Sequence, residues 1–354
     1  MTNLCWSTSL TRRTVAVAAI AGLSLSSLVG SALALEQSAS DQLSAASVQA
    51  AIDAAYADFK DLKEGKNADY IPVLAKVDPN IYGIAVVTVD GKVYTKGDIT
   101  SEVSIQSISK VFTMAKVMEE QSPEVIESNI GVNATGQAFN SIVAIEKEKG
   151  ADQNPLVNPG AITATSMVSG ASREEVWHKI LTYDSEFAGR QLSVIEEVYR
   201  SESDTNQRNQ AIARLMYAYG KIKDRPDEAT DIYTEQCAIG VNAKDLAVMA
   251  ATLANGGVNP VTKKDVLESK YVPKVLAVMA TAGLYDGTGS WLYTTGLPAK
   301  SGVGGGIIAV SPGKFGIAVI SPPLDSAGNS VKAQKTIAAV SNALGGNPYA
   351  VAPQ

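Results

Sequence analysis

The sequence predicts an α+β fold: an antiparallel sheet built from both ends of the chain, flanked by helices, with a helical subdomain inserted between. Three observations carry this. β-like runs at 81–89 and 92–96 are joined by Asp90-Gly91, a dipeptide that closes tight hairpins. A second pair of runs, 306–310 and 315–320, flanks the turn Ser311-Pro312-Gly313-Lys314. Between the pairs, from 139 to 271, apolar residues recur at helical spacing. A sheet closed by both chain ends around a helical insertion is the simplest architecture for that order.

Each element can be justified in turn. Residues 1–14 carry Arg12 and Arg13 and no acid, and 15–33 are apolar but diluted by four serines. Ala32-Leu33-Ala34 supplies a small-x-small cleavage site, so 1–34 reads as a secretory signal peptide and 35–354 as the working domain. The paired arginines fit a twin-arginine route to the periplasm or medium. A membrane anchor fits less well, because the apolar run is short and broken. Residues 41–64 are rich in helix formers and are expected to form a helix ended by Gly65. The sheet part is expected at about 66–106 and 282–354, the helical part at about 107–281. Asn154-Pro155, Asn158-Pro159-Gly160 and Asn255-Gly256-Gly257 read as breaks between helices, and 331–344 as a closing helix.

Composition narrows the function. The 354 residues are 45% hydrophobic and 19% charged, enough apolar material for a sizeable core. Loss of the leader removes two arginines and leaves 28 basic against 36 acidic residues. No basic cluster remains, which excludes nucleic acid as an expected partner, and no membrane contact is expected after cleavage. Cys5 departs with the leader and Cys237 is then alone, so no internal disulfide can form. His178 is the single histidine, on a plausible amphipathic helix, where a structural or surface role fits it. Serine–histidine triads and histidine-rich metal sites are thereby set aside, and no metal or cofactor is expected. A hydrolase here needs lysine or tyrosine as its base.

The stretch Ser107-Ile108-Ser109-Lys110 supplies that lysine. Ile108, Val111, Phe112, Ala115 and Met118 repeat at helical spacing, so a helix is expected to begin near Ser107 and bury one stripe. Lys110 lies one turn from Ser107 and can take its proton, while the free N–H groups of the helix start can hold an oxyanion. The spacing alone carries little, since Ser311-Pro312-Gly313-Lys314 has it too. Lys300-Ser301-Gly302-Val303-Gly304-Gly305-Gly306 adds to it. Its glycines allow close backbone approach, making Val303 N–H a natural second oxyanion donor beside Ser107 N–H. An ammonium from Lys300 would make protonation of Lys110 costlier and so lower its pKa.

Ser-x-x-Lys followed far downstream by Lys-Ser-Gly resembles the serine β-lactamases and penicillin-binding proteins. Their middle Ser-x-Asn or Tyr-x-Asn box occurs nowhere in this chain. A closer resemblance spans Ala68-Asp69-Tyr70-Ile71-Pro72, the Ser107 stretch, Phe139-Asn140-Ser141, residues 154–161, Arg208-Asn209 and 296–306. Together these segments are similar to the serine-dependent glutaminases, a family with a β-lactamase-like fold that hydrolyses L-glutamine to L-glutamate and ammonia. That resemblance implies Ser107 as nucleophile, Lys110 as general base and Tyr233 as proton relay to the leaving ammonia. It implies Tyr285 as a pocket wall, Tyr70 near the substrate carboxylate, and Glu202, Asn158 and Asn209 as partners of the amino-acid head group. Lys300 and Ser301 support the site. It also implies a homodimer or homotetramer. Outside the family context Glu202 reads as a solvated charge and Asn158 as a turn residue. Pro159 departs from the family's small residue and should bias Asn158 towards an extended backbone. The export leader departs too, because most relatives of this family work inside cells or mitochondria. The competing readings are an exported β-lactamase, peptidase or esterase of the same fold, and a non-catalytic amino-acid-binding module.

Overall fold

Both expected hairpins form. In the computed structural model, which describes residues 43–351 and 353, β1 (Gly83–Thr88) and β2 (Val93–Gly97) pair antiparallel. Gly91 takes φ +90° in their turn, a conformation that costs glycine little. The edge strand β3 (Ala299–Gly302) pairs with β4 (Gly306–Ser311), which pairs with β5 (Phe315–Ile320). Gly313, at φ +72°, turns the β4–β5 hairpin. The sheet order β2-β1-β5-β4-β3 puts the first strand beside the last, from Gly83 opposite Ile320 to Thr88 opposite Phe315. The two chain ends therefore close one sheet, as the order of the runs predicts.

Helices cover both faces. On one side lie α1 (Ala45–Phe59) and α9 (Val331–Ala343); on the other lies α8 (Ala243–Ala254). Between them the chain forms α2 (Ser109–Gln121), α3 (Asn158–Met167), α4 (Arg173–Ala188), α5 (Glu196–Ser203), α6 (Gln207–Ala218) and α7 (Pro226–Cys237). Every residue of β1, β4 and β5 is buried, so these strands read as continuous apolar runs. Alternate residues Ala85, Val87, Ile308, Val310, Ala318 and Ile320 join the core that α2, α4 and α8 fill. Gly316 makes that contact possible, since a Cβ there would lie 2.1 Å from Ala251 N.

Four differences from the sequence reading have local causes. The first helix ends at Phe59, not at Gly65, because the apolar stripe stops before Lys60-Asp61-Leu62-Lys63-Glu64. Asn158-Pro159-Gly160 is the start of α3 and not a break, since a proline in the first turn removes no intrahelical hydrogen bond. Asn158 is accordingly helical, and Val157 (φ −107°, ψ 159°) is the extended residue. Lys300-Ser301-Gly302 is itself part of an edge strand, and a short ribbon pairs Val103–Ser104 with Gly240–Val241. Strands of two to four residues show too few alternations to be read. The expected leader lies outside the described residues. His178 is exposed on α4.

Asp184, on α4, is 1% exposed, and neither carboxyl oxygen has a hydrogen-bond partner among the described residues. Burial raises its pKa well above 3.8. The folded state therefore keeps a proton that the unfolded chain loses, and stability falls as pH rises above the unfolded value. Asp184→Asn is expected to raise the Tm more at neutral pH than near pH 3.8, measured by calorimetry across that range.

Candidate active site

A 3₁₀ turn, Gln106–Ile108, leads into α2, so Ser107 stands just before the helix and Lys110 in its first turn. Gln106 has φ 50°, a left-handed conformation that is strained for a non-glycine residue. It presents Ser107 to a cleft of about 270 Å³ whose walls include Tyr70, Asn158, Glu202, Asn209, Tyr233 and Val303. The edge strand β3 closes against this turn because it carries glycines. A Cβ on Gly302 would lie 2.6 Å from Ile105 O, and one on Gly304 would lie 2.3 Å from Ser104 O. The triple-glycine bend and the Ser107 turn are thus in direct contact. Among the described residues, no turn or loop hydrogen bond uses the N–H of Ser107 or of Val303.

Lys110 lies beneath the cleft floor, 1% exposed. Its Nζ donates to Asn158 Oδ1 at 2.7 Å, and Tyr233 Oη donates to the same oxygen at 3.2 Å. Asn158 Nδ2 donates to Asn209 Oδ1 at 2.9 Å, so three donations fix the amide orientation. One Nδ2 hydrogen remains for a ligand. Burial lowers the Lys110 pKa to about 8, partly opposed by Cys237 and Glu202. An amine in that state has a free base form near neutral pH.

Lys300 is buried behind Lys110 and held by backbone carbonyls. Its Nζ is held by Gly283 O (2.9 Å) and Ser301 O (2.7 Å) and stands 4.2 Å from the Tyr285 ring centroid. Burial first, and Lys110 second, push its own pKa well down. Burial is the largest cause that lowers Lys110, and the two amines repel each other's charge. Tyr285 packs on Phe139 with ring centroids 5.0 Å apart. Burial pushes its phenol up to about 12, against a hydrogen bond with Ser107. Ser301 is fully buried in β3.

Glu202 is 7% exposed, which corrects its reading as a solvated charge. Burial raises its pKa to about 7, opposed by Gln106, whose Nε2 donates to Oε2 at 3.1 Å, and by Lys110. Tyr70 is 54% exposed as a residue, yet its hydroxyl is desolvated, and burial raises its pKa. Cys237 is a buried free thiol beside Tyr233 and Ser109. Seven wall residues were given no role from the sequence: Ile71, Gln106, Phe139, Asn140, Thr205, Asn206 and Arg208, whose Nε donates to Asn140 O at 3.0 Å. Gln106 adjoins Ser107, which was the available signal; its pairing with Glu202 spans 96 positions and left none. A larger hollow of about 450 Å³, walled by Met167, Lys221 and Arg225 among others, shares no wall residue with this cleft.

A family model described as Glutaminase matches residues 65–349. The chain belongs to the glutaminase family. It is 55% identical over 302 residues to the glutaminase of Colwellia psychrerythraea, covering 85% of this chain and 97% of that one. The Mycobacterium ulcerans glutaminase is 49% identical over 302 residues, covering 85% and 94%. Among solved structures, a probable glutaminase with 47% identity superposes with TM-score 0.86 over 87% of this chain and 100% of that one. A probable glutaminase from Bacillus subtilis, at 28% identity, gives 0.72 over 82% and 92%. The glutaminase described here therefore has the β-lactamase-like fold expected from its Ser-x-x-Lys and Lys-Ser-Gly segments, and it is an amidohydrolase acting on L-glutamine.

Proposed function

We propose that this glutaminase works through a serine acyl-enzyme with Lys110 as base. Neutral Lys110 takes the Ser107 proton, and Ser107 Oγ attacks the side-chain amide carbon. The N–H groups of Ser107 and Val303 hold the oxyanion. Tyr233, bonded to Asn158 alongside Lys110, passes a proton to the departing ammonia, and water then hydrolyses the glutamyl ester. Glu202 receives the substrate ammonium. Asn158, Asn209, Tyr70 and Arg208 face its carboxylate, and Tyr285 and Val303 wall the reacting end. The observation that carries this reading is Asn158 Oδ1, which gathers the Lys110 amine and the Tyr233 hydroxyl on one atom beside Ser107.

Mature protein incubated with L-glutamine is expected to release ammonia, and with a chromogenic β-lactam to give no colour. Colour without ammonia would favour the peptidase and β-lactamase reading. Glutamine binding by calorimetry with no turnover, unchanged in Ser107→Ala, would favour a binding module.

The reading extends to place and assembly. Residues 1–34 act as an export leader, so the enzyme works in the periplasm or medium, supported by Arg12-Arg13, the serine-diluted apolar run and Ala32-Leu33-Ala34. It assembles as a homodimer or homotetramer, as the family resemblance implies. Cell fractionation and light scattering test these two statements; a cytoplasmic or monomeric enzyme contradicts them.

A further inference from the structure

Three helices deliver the reacting groups: α2 with the Ser107 turn and Lys110, α3 from Asn158, and α7 with Tyr233. All three meet at one side chain that is not among the walls of the cleft. Gln236, on α7, is fully buried. Its Oε1 lies 3.2 Å from Thr113 Oγ1 of α2, which is placed to donate, and 3.3 Å from Thr165 Oγ1 of α3, whose one proton is shared with Ala161 O at 3.0 Å. Its Nε2 donates to Ser109 Oγ at 3.4 Å. Ser109 Oγ gives its single proton to the Gln106 carbonyl at 2.8 Å and so accepts from Gln236, while Thr113 donates to the amide oxygen from the other side.

That carbonyl belongs to the peptide unit whose N–H is the Ser107 N–H. A hydrogen bond to a peptide oxygen polarises the unit and strengthens its N–H as a donor. It also fixes the plane of a peptide whose preceding residue is strained at φ 50°. We propose that Gln236 is a positioning residue for the oxyanion hole, acting through Ser109 on the Gln106–Ser107 peptide. This rests on the reading of Ser107 as nucleophile. The relay ends on the Gln106 carbonyl, whereas Glu202 accepts from the Gln106 side chain and Asn209 from Asn158, so the relay bears first on the chemical step and only indirectly on substrate capture.

The test is steady-state kinetics on glutamine for Gln236→Leu, Ser109→Ala and their combination, with thermal unfolding of each. Removing an oxyanion donor outright costs about 10²–10³ in kcat, so misaiming one should cost at least about tenfold, with KM within about threefold. Two links in series predict that the double variant is no worse than the poorer single one. Gln236→Glu adds a pH readout. Its protonated acid can still donate to Ser109 and its carboxylate cannot, so kcat relative to wild type should fall as pH rises. A kcat within about twofold of wild type in a folded single variant overturns the proposal. So do losses that multiply in the double variant, or a Gln236→Glu ratio independent of pH. If Gln236→Leu does not fold, Ser109→Ala and Gln236→Glu decide. Ser107→Ala separates the two levels: residual turnover there refutes the nucleophile, whereas a dead Ser107→Ala beside wild-type relay variants refutes the relay alone.

Discussion

Lys110→Ala is expected to lower kcat on glutamine by roughly 10³-fold, within the range set by loss of a positioned general base. KM should change less than kcat, because the amine reaches the head group only through Asn158 and makes no bond to Glu202 or Asn209. The wild-type enzyme should show kcat climbing with pH and levelling above about 8, since only the neutral amine accepts the Ser107 proton. Lys110→Arg should not rescue, as a guanidinium stays charged across this range. The check is a kcat–pH profile for all three proteins. A wild-type limb that persists in Lys110→Ala would remove Lys110 as the base.

Glu202→Gln is expected to act on KM instead. Losing one charge-assisted hydrogen bond costs about 1.5–3 kcal/mol, or roughly 10–100-fold in KM. In the wild type, KM should rise as pH falls below about 7, where the carboxyl protonates and loses its attraction for the ammonium. The variant's KM should be high and insensitive to pH over that range. Stability should move the other way. The folded pKa lies above the ordinary 4.5, so the folded state binds more protons between 4.5 and about 7, and stability falls as pH rises through that window. Glu202→Gln should therefore raise the Tm of the ligand-free enzyme at neutral pH. A buried carboxylate that costs stability and supplies affinity is expected of a binding group. An unchanged KM would remove Glu202 from the head-group site.

Much of the frame was legible because it is repetitive or signalled by turns. Asp90-Gly91 and Ser311-Pro312-Gly313-Lys314 mark hairpins where glycine must take a positive φ, and the strands around them are long enough to show composition. The Ser107 stretch was legible because hydrophobic spacing placed a helix there, whatever the chemistry. The rest needs three dimensions. The burial of Glu202 and the convergence of Lys110 and Tyr233 on Asn158 join segments 48 and 75 residues apart, which no local spacing encodes. Family resemblance supplied those positions, and the fold supplies the reason for them. Pro159 misled in the opposite sense: the general bias of the residue before proline yields where that residue opens a helix.

The central claim is a glutamyl group carried on Ser107. An activated γ-glutamyl ester mixed with enzyme and quenched in acid should leave one glutamyl adduct on the peptide containing Ser107, and none in Ser107→Ala. An adduct on another residue, or one on the Ser107 peptide that survives Ser107→Ala, would contradict it.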